Sequence, residues 1–106
     1  MTVSGSVSVK MEGDICHISI QRPEQRNAVD GPTARALAQA FRMFDKNTEA
    51  KVAILSGTGG HFCAGADLHA FASGDPDKHN PLSERGDGPM GPTRMQLSKP
   101  VIAAVD

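Results

Sequence analysis

Tryptophan and tyrosine are missing from this 106-residue sequence, and phenylalanine occurs four times. A core must therefore rest on Val, Ile, Leu and Ala. An excess of charge of either sign is missing too, since 11 Lys and Arg face 12 Asp and Glu. With no basic stripe and no patch of interleaved aromatics, nucleic acid is not expected as a partner. No apolar run approaches the roughly 18 residues that cross a bilayer, so no membrane association is expected. The opening Met1-Thr2-Val3-Ser4-Gly5 has neither the basic nor the apolar region of a secretion signal. Two cysteines, Cys16 and Cys63, do not make a disulfide framework, and the expected location is a reducing cytoplasm.

What is present reads as an α/β chain of one domain's length. Val3 to Ile20 reads as two strands: Val7, Val9 and Met11 alternate with polar residues, Glu12-Gly13-Asp14 turns, and Cys16, Ile18 and Ile20 alternate again. Pro23 stops the second strand, leaving Arg22 to Val29 as an irregular, charged connection. A helix follows, with Asp30 as N-cap and Pro32 in its first turn. Ala34, Leu37, Ala38, Phe41 and Phe44 share one face, with Arg35, Gln39, Arg42 and Lys46 opposite. Val52-Ala53-Ile54-Leu55 and Val101-Ile102-Ala103-Ala104-Val105 read as strands covered on both faces. Asp67 to Ala72 can form a short helix, and Ser73 to Met95 is a long loop rich in Gly and Pro. Strands buried on both faces need helices on both sides, and one substantial helix is not enough. The chain is thus expected to be the first part of a larger α/β unit, or to need a partner chain.

The chemistry concentrates in Ser56-Gly57-Thr58-Gly59-Gly60-His61-Phe62-Cys63-Ala64-Gly65-Ala66-Asp67-Leu68. So few side chains let the backbone approach a ligand closely, with N–H groups as the binding elements. As a phosphate loop the run fails, because Ala66-Asp67 stands where Lys-Ser/Thr is required. As a dinucleotide loop it fails because Phe62 stands where a glycine should. As an oxyanion site it needs a free N–H, and Ala66, at the mouth of the short helix, is the candidate, reinforced by the helix dipole. Ala64 and Ala66 are small enough to let a bulky ligand lie against the backbone. Asp67 complements the dipole from the first turn.

Other candidates have plainer readings. Glu84 and Asp87 are expected to be solvated loop charges. His61, Cys63 and His69 fit no familiar ligand spacing, and no metal is expected. His17 is expected as an exposed strand residue, and Met90 and Met95 as packing against an acyl tail or the core.

Four blocks occur in order: Arg22-Pro23-Glu24-Gln25-Arg26-Asn27-Ala28-Val29, Val52 to Gly57, Phe62-Cys63-Ala64-Gly65-Ala66-Asp67-Leu68, and Lys99-Pro100-Val101-Ile102-Ala103-Ala104-Val105. Together they closely resemble the crotonase superfamily, the enoyl-CoA hydratases and isomerases. The resemblance implies a spiral of repeated ββα turns, with residues 1–106 as the N-terminal part of a single domain. It implies acyl-CoA thioester substrates whose carbonyl is polarised by two backbone N–H groups, the first from Ala66. Backbone around Ala64, Gly65, Ala66, Asp67 and Leu68 would cradle CoA. Arg26 and Ala28 would line the same channel, with Arg26 toward the phosphates. The second donor and the acid–base glutamates of the family lie beyond the strand matched by Lys99 to Asp106, so the chain alone is expected to be inactive.

The expected activity of the intact enzyme is hydration of an enoyl-CoA thioester. The alternatives are isomerase or other CoA-thioester chemistry, or a non-catalytic acyl-CoA-binding or assembly fragment. No cofactor is implied beyond the CoA of the substrate. A homo-oligomer, a trimer or dimer of trimers, is implied, or a C-terminal part supplied as a separate chain.

Overall fold

The computed structural model describes residues 2–75, 88 and 90–106. Glu84, Asp87 and much of the Ser73 to Met95 connection lie outside the described residues.

The N-terminal stretch forms three strands rather than two: β1 (Thr2–Ser4), β2 (Val7–Glu12) and β3 (Ile15–Ile20). A turn at Gly5-Ser6 interrupts the alternation and folds β1 back antiparallel on β2. The Gly13-Asp14 turn pairs β2 with β3, Val9 opposite Ile18 and Met11 opposite Cys16. The connection after β3 contains one helical turn, Pro23–Gln25, before α1 (Gly31–Lys46). The chain then returns as β4 (Val52–Gly57), passes through α2 (Leu68–Ala72) and adds β5 (Val101–Ala103). The sheet order is β1-β2-β3-β4-β5, with β3–β4 and β4–β5 parallel. Since parallel neighbours require a crossover, α1 lies across the sheet between β3 and β4.

α1 forms where the sequence places it. The Asp30 carboxylate accepts the Thr33 N–H at 2.9 Å, and Pro32 sits at a position whose N–H has no helical partner. Ala34, Leu37, Ala38, Phe41 and Phe44 are buried, and Arg35, Gln39, Arg42 and Lys46 are exposed. The buried face meets Val7, Val9, Cys16, Ile18, Ile20 and Ala53. Each large apolar side chain buried there contributes about 1.5–3 kcal/mol. Met11 departs from the expected alternation: it is 36% exposed, at the mouth of a cavity floored by Cys16 and Phe44. At the far end of α1, Lys99 Nζ donates to the carbonyls of Phe44, Asn47 and Ala50.

Of the two strands expected to be buried on both faces, the described residues cover one face at most. Ala53 is buried under the helix layer, and Leu55 packs partly buried against the same core. Val52, Ile54 and Ser56, on the opposite face, are only half-buried. β5 is shorter than the apolar run and exposed, with Ile102 at 57%. The cause is physical: among the described residues one large helix packs on one face of the sheet. His17 lies on that second face, half-buried rather than exposed, 3.6 Å from the Glu12 carboxylate.

Candidate active site

The glycine-rich run leaves β4 and is moulded against the connection that leaves β3. The mould is Asn27, fully buried in the left-handed backbone conformation at φ 59°. Its Nδ2 donates to the Thr58 carbonyl at 2.8 Å and the His61 carbonyl at 2.6 Å. Its Oδ1 accepts the Arg22 N–H at 2.8 Å. A polar group so buried is stable only with its hydrogen bonds made, and these bonds define the path of residues 58–61. The fit allows no side chain at Gly57: a Cβ there would meet the His61 and Phe62 carbonyl oxygens and Asn27 Nδ2.

Beyond this turn, residues 64–67 run parallel to residues 26–29. Ala64 N–H donates to Arg26 C=O at 3.1 Å, Val29 N–H to Gly65 C=O at 2.7 Å, and Asp67 N–H to Val29 C=O at 2.9 Å. In this pairing Val29 uses both of its backbone groups toward the loop, and those of Ala66 point away. The geometry is enforced by one rigid peptide unit. The Gly65 C=O and the Ala66 N–H belong to the same trans amide, so fixing the oxygen on Val29 aims the N–H in the opposite direction. Ala66 is exposed, and its N–H donates to no described residue. Gly65, at φ 98°, makes the required turn.

This corrects one sequence expectation. Asp67 is the N-cap of α2, so Ala66 precedes the helix by two residues. Among the described residues its N–H has no acceptor because of the parallel bridge, not because it opens a helix. The five-residue α2 has little dipole to lend.

The remaining site residues separate by orientation. The Asp67 side chain turns inward, accepting the N–H groups of His69 and Ala70 and pairing with Arg22 at 2.9 Å. Burial alone would raise its pKa. The Ala70 N–H, the Arg22 guanidinium and the His69 N–H outweigh that and hold the carboxyl below the usual range. Its part is to hold the loop. Ala64 and Leu68 are exposed beside Ala66, Leu68 at 78%. Ala28 is buried behind the ribbon. Arg26 is exposed and lines a cavity of about 170 Å³ with His61, Cys63 and Ala64. A second cavity of about 190 Å³ lies between Phe62, Leu37, Leu55 and Met90, and is wholly apolar. Met90 and Met95 pack, partly buried, against the core.

Both cysteines are free, and burial pushes the Cys16 thiol up against a smaller opposing pull from Lys99. Among the described residues no three His, Cys, Asp or Glu side chains converge on one point. Likewise, no helix is long and apolar enough to cross a membrane. Sequence reading passed over Arg22 and Asn27 as site residues. The signal available was a polar asparagine immediately before the apolar Ala28-Val29.

Residues 10–106 match the family model for enoyl-CoA hydratase/isomerase. The chain is 34% identical over 105 residues to enoyl-CoA hydratase EchA19 of Mycobacterium tuberculosis, covering 92% of this chain and 38% of that protein. It is 39% identical over 107 residues to a carnitinyl-CoA dehydratase of Salmonella enteritidis, covering 98% and 39%. A solved enoyl-CoA hydratase from Mycobacterium tuberculosis superposes with a TM-score of 0.84 at 41% identity, over 97% of this chain and 38% of that one. The chain therefore spans well under half the length of these relatives, and its α/β architecture is that of the N-terminal part of the crotonase fold. On sequence and structure alike, it belongs to the enoyl-CoA hydratase/isomerase family.

Proposed function

We propose that residues 1–106 form the N-terminal part of a crotonase-type acyl-CoA enzyme and supply the first oxyanion donor, the Ala66 N–H. The observation that carries this reading is the outward aim of that N–H, imposed by the Val29–Gly65 hydrogen bond. A donor fixed before the reaction stabilises charge developing on a thioester oxygen without reorganising. Ala64, Gly65, Ala66, Asp67 and Leu68 form the edge along which the CoA thioester lies. Asp67 contributes through its backbone, since its carboxylate is engaged inside. Arg26 reaches from the rim toward the CoA phosphates, and Ala28 backs the channel.

The relatives named above act on CoA thioesters by hydration or dehydration, and the reading extends that class to this chain: addition of water to a 2,3-enoyl-CoA. CoA arrives as part of the substrate, and no further cofactor is proposed. The proposed setting is a cytoplasmic homo-oligomer, a trimer or a dimer of trimers.

The test is isothermal titration of the chain with butyryl-CoA, a saturated thioester that cannot be hydrated, for the wild type and Ala66→Pro. The substitution removes a donor that bonds to no described residue, so no hydrogen bond among the described residues is lost with it. Binding by the wild type and a loss of about tenfold or more in the variant are expected. Equal affinities would overturn the role of Ala66, and no binding by a folded wild type would overturn the CoA reading.

A further inference from the structure

Two peptide units stand in series behind the Ala66 N–H, and a guanidinium stands behind them. Arg22 Nη1 donates to the Ala28 C=O. The other end of that same amide is the Val29 N–H, which donates to Gly65 C=O at 2.7 Å. The other end of the Gly65 amide is the Ala66 N–H. Trans amides place C=O and N–H on opposite sides, so the three groups form one directed chain from the cation to the exposed donor. Hydrogen bonds in series polarise one another, and a charge-assisted bond at the head strengthens those that follow.

The guanidinium is itself held firmly. Nη2 lies 2.9 Å from Asp67 and 3.5 Å from Asp30, the N-caps of the two helices, and the Arg22 side chain is 17% exposed. One planar fork thus grips residue 28 on one strand of the ribbon and residue 67 on the other. A lysine ammonium, a point charge on a flexible stem, does not reproduce that geometry.

We infer that Arg22 is a positioning residue for the oxyanion donor: it fixes the Ala28–Val29 amide and transmits its charge through two peptide units to the Ala66 N–H. The functional meaning rests on the CoA-thioester reading, but the physical claim concerns the free chain.

The distinguishing measurement is hydroxide-catalysed hydrogen exchange of the Ala66 amide by NMR, in wild type, Arg22→Gln and Arg22→Lys. Exchange proceeds through an imidate anion, which the same polarisation stabilises, so loss of the charge should slow Ala66 about tenfold. Loosening of the fold would instead speed the protected amides of Val29 and Asp67. Unchanged protection at Val9 and Ile18 checks that the sheet is intact. Arg22→Lys, which keeps a charge but not the fork, should fall between, and it decides the matter if Arg22→Gln does not fold. In parallel, Arg22→Gln should weaken butyryl-CoA about tenfold while leaving CoA itself, which has no thioester carbonyl, nearly unchanged. An Ala66 amide that exchanges as fast or faster in a folded variant overturns the inference. An equal loss of affinity for both compounds overturns it too. A wild type that binds neither compound removes the CoA reading, and the exchange rates alone then judge Arg22.

Discussion

The Lys99 ammonium stands 2.7 Å from the carbonyl oxygen of Phe44 and 4.7 Å from the centre of that residue's ring. It also donates to Asn47 and Ala50, so its three N–H bonds serve three carbonyls around the C-terminus of α1. Lys99→Met keeps the apolar stem and removes every donor. It should lower stability by about 2–3 kcal/mol in urea unfolding. A change below about 0.5 kcal/mol would mean that the carbonyls are served equally well by water.

Asp67 links stability to pH. Its carboxyl is held below the ordinary value of 3.8, chiefly by Ala70 and Arg22 acting against burial, so the unfolded chain takes up the proton first. The stabilisation is therefore present above about pH 4 and lost as pH falls through the folded value. Asp67→Asn should be less stable than wild type at pH 7, with the gap narrowing toward pH 3. Urea midpoints at both pH values check this, and a constant gap would contradict it.

Asn27→Asp replaces a donor with an acceptor at nearly constant shape. The new oxygen would face the carbonyls of Thr58 and His61, both now bonded to Nδ2. A loss of roughly 2 kcal/mol or more is expected, read as a shift in the urea midpoint. An unchanged midpoint would show that the loop follows its path without the amide.

Two glycines of the run should respond unequally. At Gly65, φ is 98° and a Cβ meets nothing within 4 Å, so Gly65→Ala carries backbone strain alone, about 1–3 kcal/mol. At Gly57 a Cβ collides with two backbone oxygens of the next turn, so Gly57→Ala must displace the loop itself. Thermal melts should rank Gly57→Ala well below Gly65→Ala, and the reverse order would contradict the packing described.

The helix and its cap were legible in the sequence because Asp30, Pro32 and the apolar face from Ala34 to Phe44 all act within a few residues of one another. The strands were legible as alternation, but β1 was not separated from β2, since Gly5-Ser6 carries no apolar signal. The second face of β4 is apolar yet only half-buried among the described residues, because an apolar run records what a strand can bury, not what packs on it. In the candidate site, the glycine-rich pattern points to Ala66, but not to the reason its N–H turns away from the ribbon. That reason is a bridge to Val29, beside which Arg22 and Asn27 also reach partners 31 to 45 residues away along the chain, Thr58, His61 and Asp67. Spacing within a motif carries no trace of contacts at that separation.

Ile20 pairs with Gly57 at the end of the β3–β4 ladder, and Val29 pairs with Ala66 beyond it. Both pairs keep the 37-residue offset already present between Ser19 and Ser56. The two connections are therefore equal in residue count, and the offset of the ladder is kept across two irregular turns. In parallel pairing, a slip of one residue exchanges the backbone groups that face the partner for those that face away. Deleting one residue from either connection shifts this offset, and where the pairing with Val29 slips by one the Ala66 N–H turns inward with the whole motif still present. Deleting one from each would restore the offset. The outward aim of the Ala66 N–H is specified by a count as much as by a motif.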